Sequence, residues 1–131
     1  MPYVAEDEVV ATTGATLDEL AVRHGPPPFR VPLAATPALR VVLCGWPAGH
    51  ETVPHRHPRA EELFHVIAGR AVFTFACEPE RTAGPGSVIV ALRGVGHAIR
   101  VVGDEPLLML IVVAPNEDVP DETIEPVDLP R

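Results

Sequence analysis

Residues Gly49–Gly69 read GHETVPHRHPRAEELFHVIAG, and the spacing of their polar residues decides the fold. His55 and His57 are separated by one residue. On an extended strand, residues i and i+2 project to the same side, so the two imidazoles share one face. Glu62 follows, and Gly69 ends the stretch as a turn residue. A further histidine, His97, stands in GSVIVALRGVGHAIRV, residues 86–101. A carboxylate and a third imidazole brought in by neighbouring strands complete a metal-binding set. Imidazole suits zinc, copper, iron and nickel, and a carboxylate extends the choice towards manganese.

Working outward, most of the chain has the texture of short strands. Arg40–Trp46, Glu62–Ile67, Arg70–Cys77, Ser87–Leu92, His97–Val102 and Leu107–Val113 are rich in β-branched, aromatic or aliphatic residues, with Gly, Pro and charged clusters between them. Such even punctuation predicts an all-β sandwich or barrel, and the absence of an internal repeat predicts one barrel. One helix is expected, over Thr16–His24. Thr16 and Glu19 form a capping box, Leu17, Leu20 and Ala21 an apolar stripe, and Gly25 with three following prolines the stop. The division expected is an N-terminal arm with the short helix over 1–38, a barrel over 39–114 and an acidic, proline-rich tail over 115–131. That tail is read either as free or as a strip lying on the body.

Composition sets the outer limits. A chain of 131 residues, 47% hydrophobic, fits one globular domain that needs no staple. Its longest apolar run, Pro106–Pro115, is too short to span a membrane. The acidic N-terminus lacks the pattern of a signal peptide, which leads to a cytoplasmic expectation. Cys44 and Cys77 are then expected to be free core thiols. A formal net charge of −8 argues against nucleic acid and anionic membranes as partners. All ten basic residues are arginine, which removes lysine Schiff-base and P-loop chemistry. The single serine, Ser87, lies in no nucleophile elbow.

The spacing within Gly49–Gly69 also resembles the first motif of the cupin superfamily, G(X)5HXH(X)3,4E(X)6G. The second motif, G(X)5PXG(X)2H(X)3N, is met by Gly86, Gly94 and His97, while Leu92 replaces the usual proline and Val101 the usual asparagine. The resemblance covers about residues 39–114, as in small single-domain cupins. It implies a jelly-roll β-barrel with one divalent transition metal per subunit, held by His55, His57, Glu62 and His97. The candidate ions are Fe, Mn, Zn and Ni, with Fe(II) favoured. Strand parity and the gap to Gly69 select Glu62 over the adjacent Glu61. Counting by twos along the strands places Phe64, Phe73, Phe75 and Ile99 inward, as candidate walls of a small-molecule pocket. Trp46 is read as core or pocket rim, with core preferred, His50 and His65 as lying outside the ligand set, Arg56 as exposed or in an interface, and Arg93 as a solvated loop residue.

The resemblance implies several activities, because fold alone does not specify reaction. The leading expectation is a metal-dependent enzyme with Fe(II) oxygenase-like or related lyase chemistry on a small organic substrate. The others are a non-catalytic cupin that binds or senses a small ligand, and an isomerase or epimerase of sugars. A homodimer is expected. Leu63, His65, Ile67 and Val72 point outward and make a face too apolar for water, which either a second copy or the chain's own helix and tail covers. The segment Tyr3–Val10 is a candidate extra edge strand.

Overall fold

The computed structural model describes residues 13–116 and 125–129. The element order is α1 (Leu17–His24), β1 (Phe29–Ala35), β2 (Arg40–Trp46), β3 (His55–Arg56), β4 (Glu61–Ala68), β5 (Arg70–Phe75), β6 (Arg81–Ala83), β7 (Val88–Ala91), β8 (His97–Val102), β9 (Leu107–Ala114) and β10 (Glu125–Pro126). The strands form two antiparallel five-stranded sheets, ordered β1-β2-β9-β4-β7 and β10-β3-β8-β5-β6. They pack face to face as a cupin-type jelly roll that stays two ladders rather than one closed barrel. Among the described residues, no helix is long and apolar enough to cross a membrane.

One core fills the space between the sheets. Val42, Phe64, Val66, Met109 and Ile111 come from one sheet and Ala71, Phe73, Ile99 and Val101 from the other. Each large side chain buried this way stabilises the fold by about 1.5–3 kcal/mol. The alternation expected from the sequence is visible in β4, where Glu62, Phe64 and Val66 are buried and Leu63, His65 and Ile67 are only partly covered. Gly69 makes the corner between sheets. It stands alone between β4 and β5 with φ +83°, and a Cβ there would lie 2.3 Å from the Pro106 carbonyl oxygen. Only glycine meets both conditions without strain.

Four strands lie outside the six stretches marked in the sequence, the two-residue β3 and β10 and the longer β1 and β6. β1 contains Pro32, which argues against a strand interior, but β1 is an edge strand, where a missing N–H is tolerated. β6 has three residues, too few for a period to show. The expected strand through Cys77 ends at Phe75, so Cys77 is exposed while Cys44 is buried. Helix α1 has the expected cap, with the Glu19 N–H donating to Thr16 Oγ at 3.1 Å. Its apolar stripe is narrower than expected. Only Leu20 is buried, against Val31 and Leu43, and Leu17 is 46% exposed. The helix rests on the outer face of β1 and β2 through little more than one side chain.

The expected apolar outer face is divided. Ile67 and Leu108 pack under the α1–β1 cluster, and Val72 is buried on the other sheet. Leu63 and His65 instead lie beside Val90 and Val88 of the edge strand β7. Tyr3–Val10 lies outside the described residues. Of the C-terminal segment, residues 125–129 form a strip on the body, with β10 paired to β3.

Candidate metal centre

The four polar residues singled out in the sequence arrive from three neighbouring elements. β3 supplies His55, and His57 follows one residue past its end. β4 supplies Glu62, and β8 supplies His97. His55 is paired with His97 in the β3–β8 register. The imidazole centroids lie 5.1 Å (His55–His57), 4.7 Å (His55–His97) and 5.6 Å (His57–His97) apart. One ligand atom from each of His55, His57, Glu62 and His97 lies within 4.8 Å of the others. His57, Glu62 and His97 are buried, and His55 is partly buried. Glu61 is exposed, as parity requires.

The loops around the cluster are tied to it. The Gly94 N–H donates to the His57 carbonyl at 2.9 Å, and the Val95 N–H to the Leu92 carbonyl at 3.0 Å. The turn therefore forms with leucine at position 92, and Val101 packs in the core as part of β8. Thr52 fixes the approach to His55. Its hydroxyl accepts the Ile99 N–H at 2.8 Å, and its own N–H donates to the Ile99 carbonyl at 2.9 Å.

The proton positions follow from the backbone. His55 Nδ1 lies 2.7 Å from the Val53 carbonyl, and His97 Nδ1 lies 3.1 Å from the Val95 carbonyl. A carbonyl only accepts, so both Nδ1 atoms carry hydrogen. In the neutral ring, Nε2 is then a lone-pair donor suited to a metal. His97 Nε2 faces Glu62 Oε1 at 3.2 Å, and His57 Nε2 lies 3.1 Å from the same oxygen. At these separations the carboxylate oxygen meets each imidazole either through the ring's own hydrogen or through a shared cation. Burial alone raises the Glu62 carboxyl pKa, but the His57 and His97 imidazoles outweigh it and hold the group at about 2. Burial lowers the His55 pKa, and the neighbouring imidazoles add to that effect. An ionised carboxylate among three imidazoles is the donor set of a divalent transition metal.

The cluster forms part of the wall of a cavity of about 190 Å3, completed by Trp46, Thr52, Phe64, Ile99 and Ile111. Phe64 and Ile99 line it. Phe73 and Phe75 do not. Phe73 packs behind Phe64 at 5.3 Å between rings, and Phe75 behind His97 at 6.4 Å. Trp46 is half-buried, packs against the core and also lines the cavity, with its ring 4.8 Å from that of His50. Ile111 was legible by parity, since β9 buries alternate residues from Leu107. A larger depression of about 500 Å3 at Gly69, Arg70 and Gly103–Glu105 contains none of the four cluster residues.

Comparison with known proteins agrees with the fold. The chain is 35% identical over 78 residues to dimethylsulfoniopropionate lyase DddQ of Ruegeria pomeroyi, a match covering 60% of this chain and 38% of that protein. The chain therefore spans well under half the length of this relative. The crystal structure of DddQ superposes with a TM-score of 0.56 at 34% identity, over 61% of this chain and 40% of that one. An uncharacterized double-stranded β-helix protein from Klebsiella pneumoniae gives a TM-score of 0.70 at 23% identity, covering 89% of this chain and 98% of that one. KdgF from a Halomonas species gives 0.61 at 26% identity, over 69% of this chain and 80% of that one. Residues 42–113 match the Cupin domain family, more than half of the sequence and all of the strands that carry the histidine–glutamate cluster, so the chain belongs to that family.

Proposed function

We propose that this cupin is a metal-dependent enzyme acting on a small organic molecule, with His55, His57, Glu62 and His97 holding one divalent transition metal. The observation that carries the reading is the convergence of three imidazoles and one ionised carboxylate in the wall of an apolar cavity. Three nitrogens and one oxygen leave about two positions of an octahedral ion for substrate. The cavity is smaller than the ~300–1,000 Å3 of drug-sized sites, which favours a compact substrate.

The residues divide the work. His55 and His97 are oriented by backbone carbonyls, so their Nε2 atoms need no rearrangement to bind. Glu62 stays ionised and supplies the negative charge. Trp46, Phe64, Ile99 and Ile111 exclude water and favour an apolar substrate body. Apart from the cluster, the described cavity residues offer no acid–base group, since the Thr52 hydroxyl is engaged with the Ile99 backbone. A bound divalent metal would supply Lewis acidity towards a substrate oxygen and, as Fe(II), redox chemistry with O2. With no further acid–base group among the described cavity residues, this division supports chemistry carried by the metal, and we favour Fe(II) oxygenase-like chemistry.

A second reading, a lyase, is supported by the 35% identity to a dimethylsulfoniopropionate lyase over 78 residues. Protein purified without chelators, assayed for metal and loaded anaerobically with Fe(II), separates the two. Oxygen uptake with small acids, diketones or catechols supports the oxygenase. Oxygen-independent consumption of dimethylsulfoniopropionate supports the lyase. Neither activity, with metal bound, would point to a non-catalytic binding protein.

A further inference from the structure

The C-terminal strip touches the backbone beside two of the four cluster residues. Glu125 and Pro126 pair with Arg56 and His55, and the Val127 N–H donates to the Pro54 carbonyl at 3.1 Å. On the other side, the strip lies over Gly96. A Cβ at Gly96 would sit 2.8 Å from Val127 Cγ2 and 3.4 Å from Leu129 Cδ2. These contacts are placed in register with the ligands. The His55 ring is oriented by the Val53 carbonyl and the His97 ring by the Val95 carbonyl. Pro54 and Gly96 are the residues in between. The strip therefore presses on the one peptide segment in each case that sets the direction of an imidazole.

We infer that residues 126–129 are a positioning strap for the metal centre, holding the Val53–His55 and Val95–His97 segments so that two imidazoles stand ready to bind. The inference rests on the metal reading above. β3 is two residues long, and among the described residues its outer edge pairs only with β10. An uncovered edge that short has little to hold it. The strap is itself attached by few backbone bonds, which places it at the low end of local stability. The jelly-roll core does not include it. Its effect is thus on ligand geometry, and by linkage the effect runs both ways: if docking favours metal binding, metal binding favours docking by the same factor.

The test uses Co(II) and Zn(II) on the full chain and on three variants: deletion of residues 125–131, Val127→Asp and Gly96→Ala. Co(II) affinity is read by visible absorption with a competing chelator. Each variant should bind about 10–100-fold more weakly, the range seen when groups supporting metal ligands are removed. The metal-free variants should keep the circular dichroism of the parent. Val127→Ile, which keeps the apolar contact, should retain parental affinity. In the full chain, saturating Zn(II) should slow amide exchange at Val127 by a factor matching the affinity change. Unchanged Co(II) affinity in both Val127→Asp and the deletion overturns the strap, as does exchange at Val127 indifferent to Zn(II). Should the deletion fail to fold, the two point variants and the exchange measurement decide. A full chain that binds neither ion overturns the metal reading and the strap together, whereas normal binding with insensitive variants overturns the strap alone.

Discussion

His55 stands directly across from His97 in the antiparallel register of β3 and β8, with ring centroids 4.7 Å apart. The pairing makes two distant stretches of sequence into one half of the cluster, and Glu62 on the opposing sheet closes it. We expect Glu62→Gln to weaken Zn(II) or Co(II) binding by more than the ~10–100-fold typical of supporting groups, because it removes the only anionic donor. Glu61→Gln, at an exposed position, should change affinity by less than about twofold. Titration calorimetry on chelator-treated protein measures both, and equal losses would mean that the wrong carboxylate has been assigned.

Cys44 and Cys77 should behave as different chemical species. Burial pushes the Cys44 thiol up to about 12, and Cys77 is exposed. A raised pKa keeps Cys44 protonated throughout pH 7–9, so neither access nor thiolate favours reaction. Iodoacetamide at pH 8 should add one group to the native chain, at Cys77, and a second only after denaturation. Peptide mapping of the singly modified protein checks the assignment.

Gly69→Ala and Gly103→Ala separate backbone strain from steric clash. Both glycines have positive φ, +83° and +81°, but only Gly69 has a backbone atom in the path of a Cβ. Gly103→Ala should cost about 1–2 kcal/mol from the left-handed backbone alone. Gly69→Ala should cost a further ~1–3 kcal/mol, because the corner must open against the Pro106–Leu107 backbone. Urea unfolding of the two variants gives the difference directly.

A homodimer should form across the β7 edge. Val88, Val90 and Leu92 are 57%, 46% and 59% exposed, and β7 ends its sheet. An apolar edge strand of this kind invites pairing, and a two-fold axis is the simplest way to cover it. Light scattering should give twice the 14.0 kDa chain mass, and Val90→Glu should return it to the monomer value. A native mass near 14.0 kDa at micromolar concentration would show that this edge stays uncovered.

Short spacings carry most of what could be read in one dimension. The H-x-H pair, the interval from His57 to Glu62 and the turn at Gly69 are local facts, and strand parity is a local rule, so the family, the four cluster residues and the inward set of β4 and β8 were legible in one dimension. Parity also separated Glu62 from Glu61, since neighbours on a strand face opposite ways. What depends on layers was not legible. Parity says that Phe73 and Phe64 both point inward, but not that Phe64 stands in front and takes the cavity wall. It does not say that Trp46, at the end of its strand, meets the cavity as well as the core. β1 was hidden by Pro32 because a strand at a sheet edge and one at its centre obey different rules, and position in the sheet is a tertiary property. The division of the outer face, part covered by α1 and part left at β7, and the return of residues 125–129 to β3 were likewise decided only by the fold. Each brings together segments whose separation along the chain carries no period, so the information lies in which surfaces remain uncovered once the two sheets have packed.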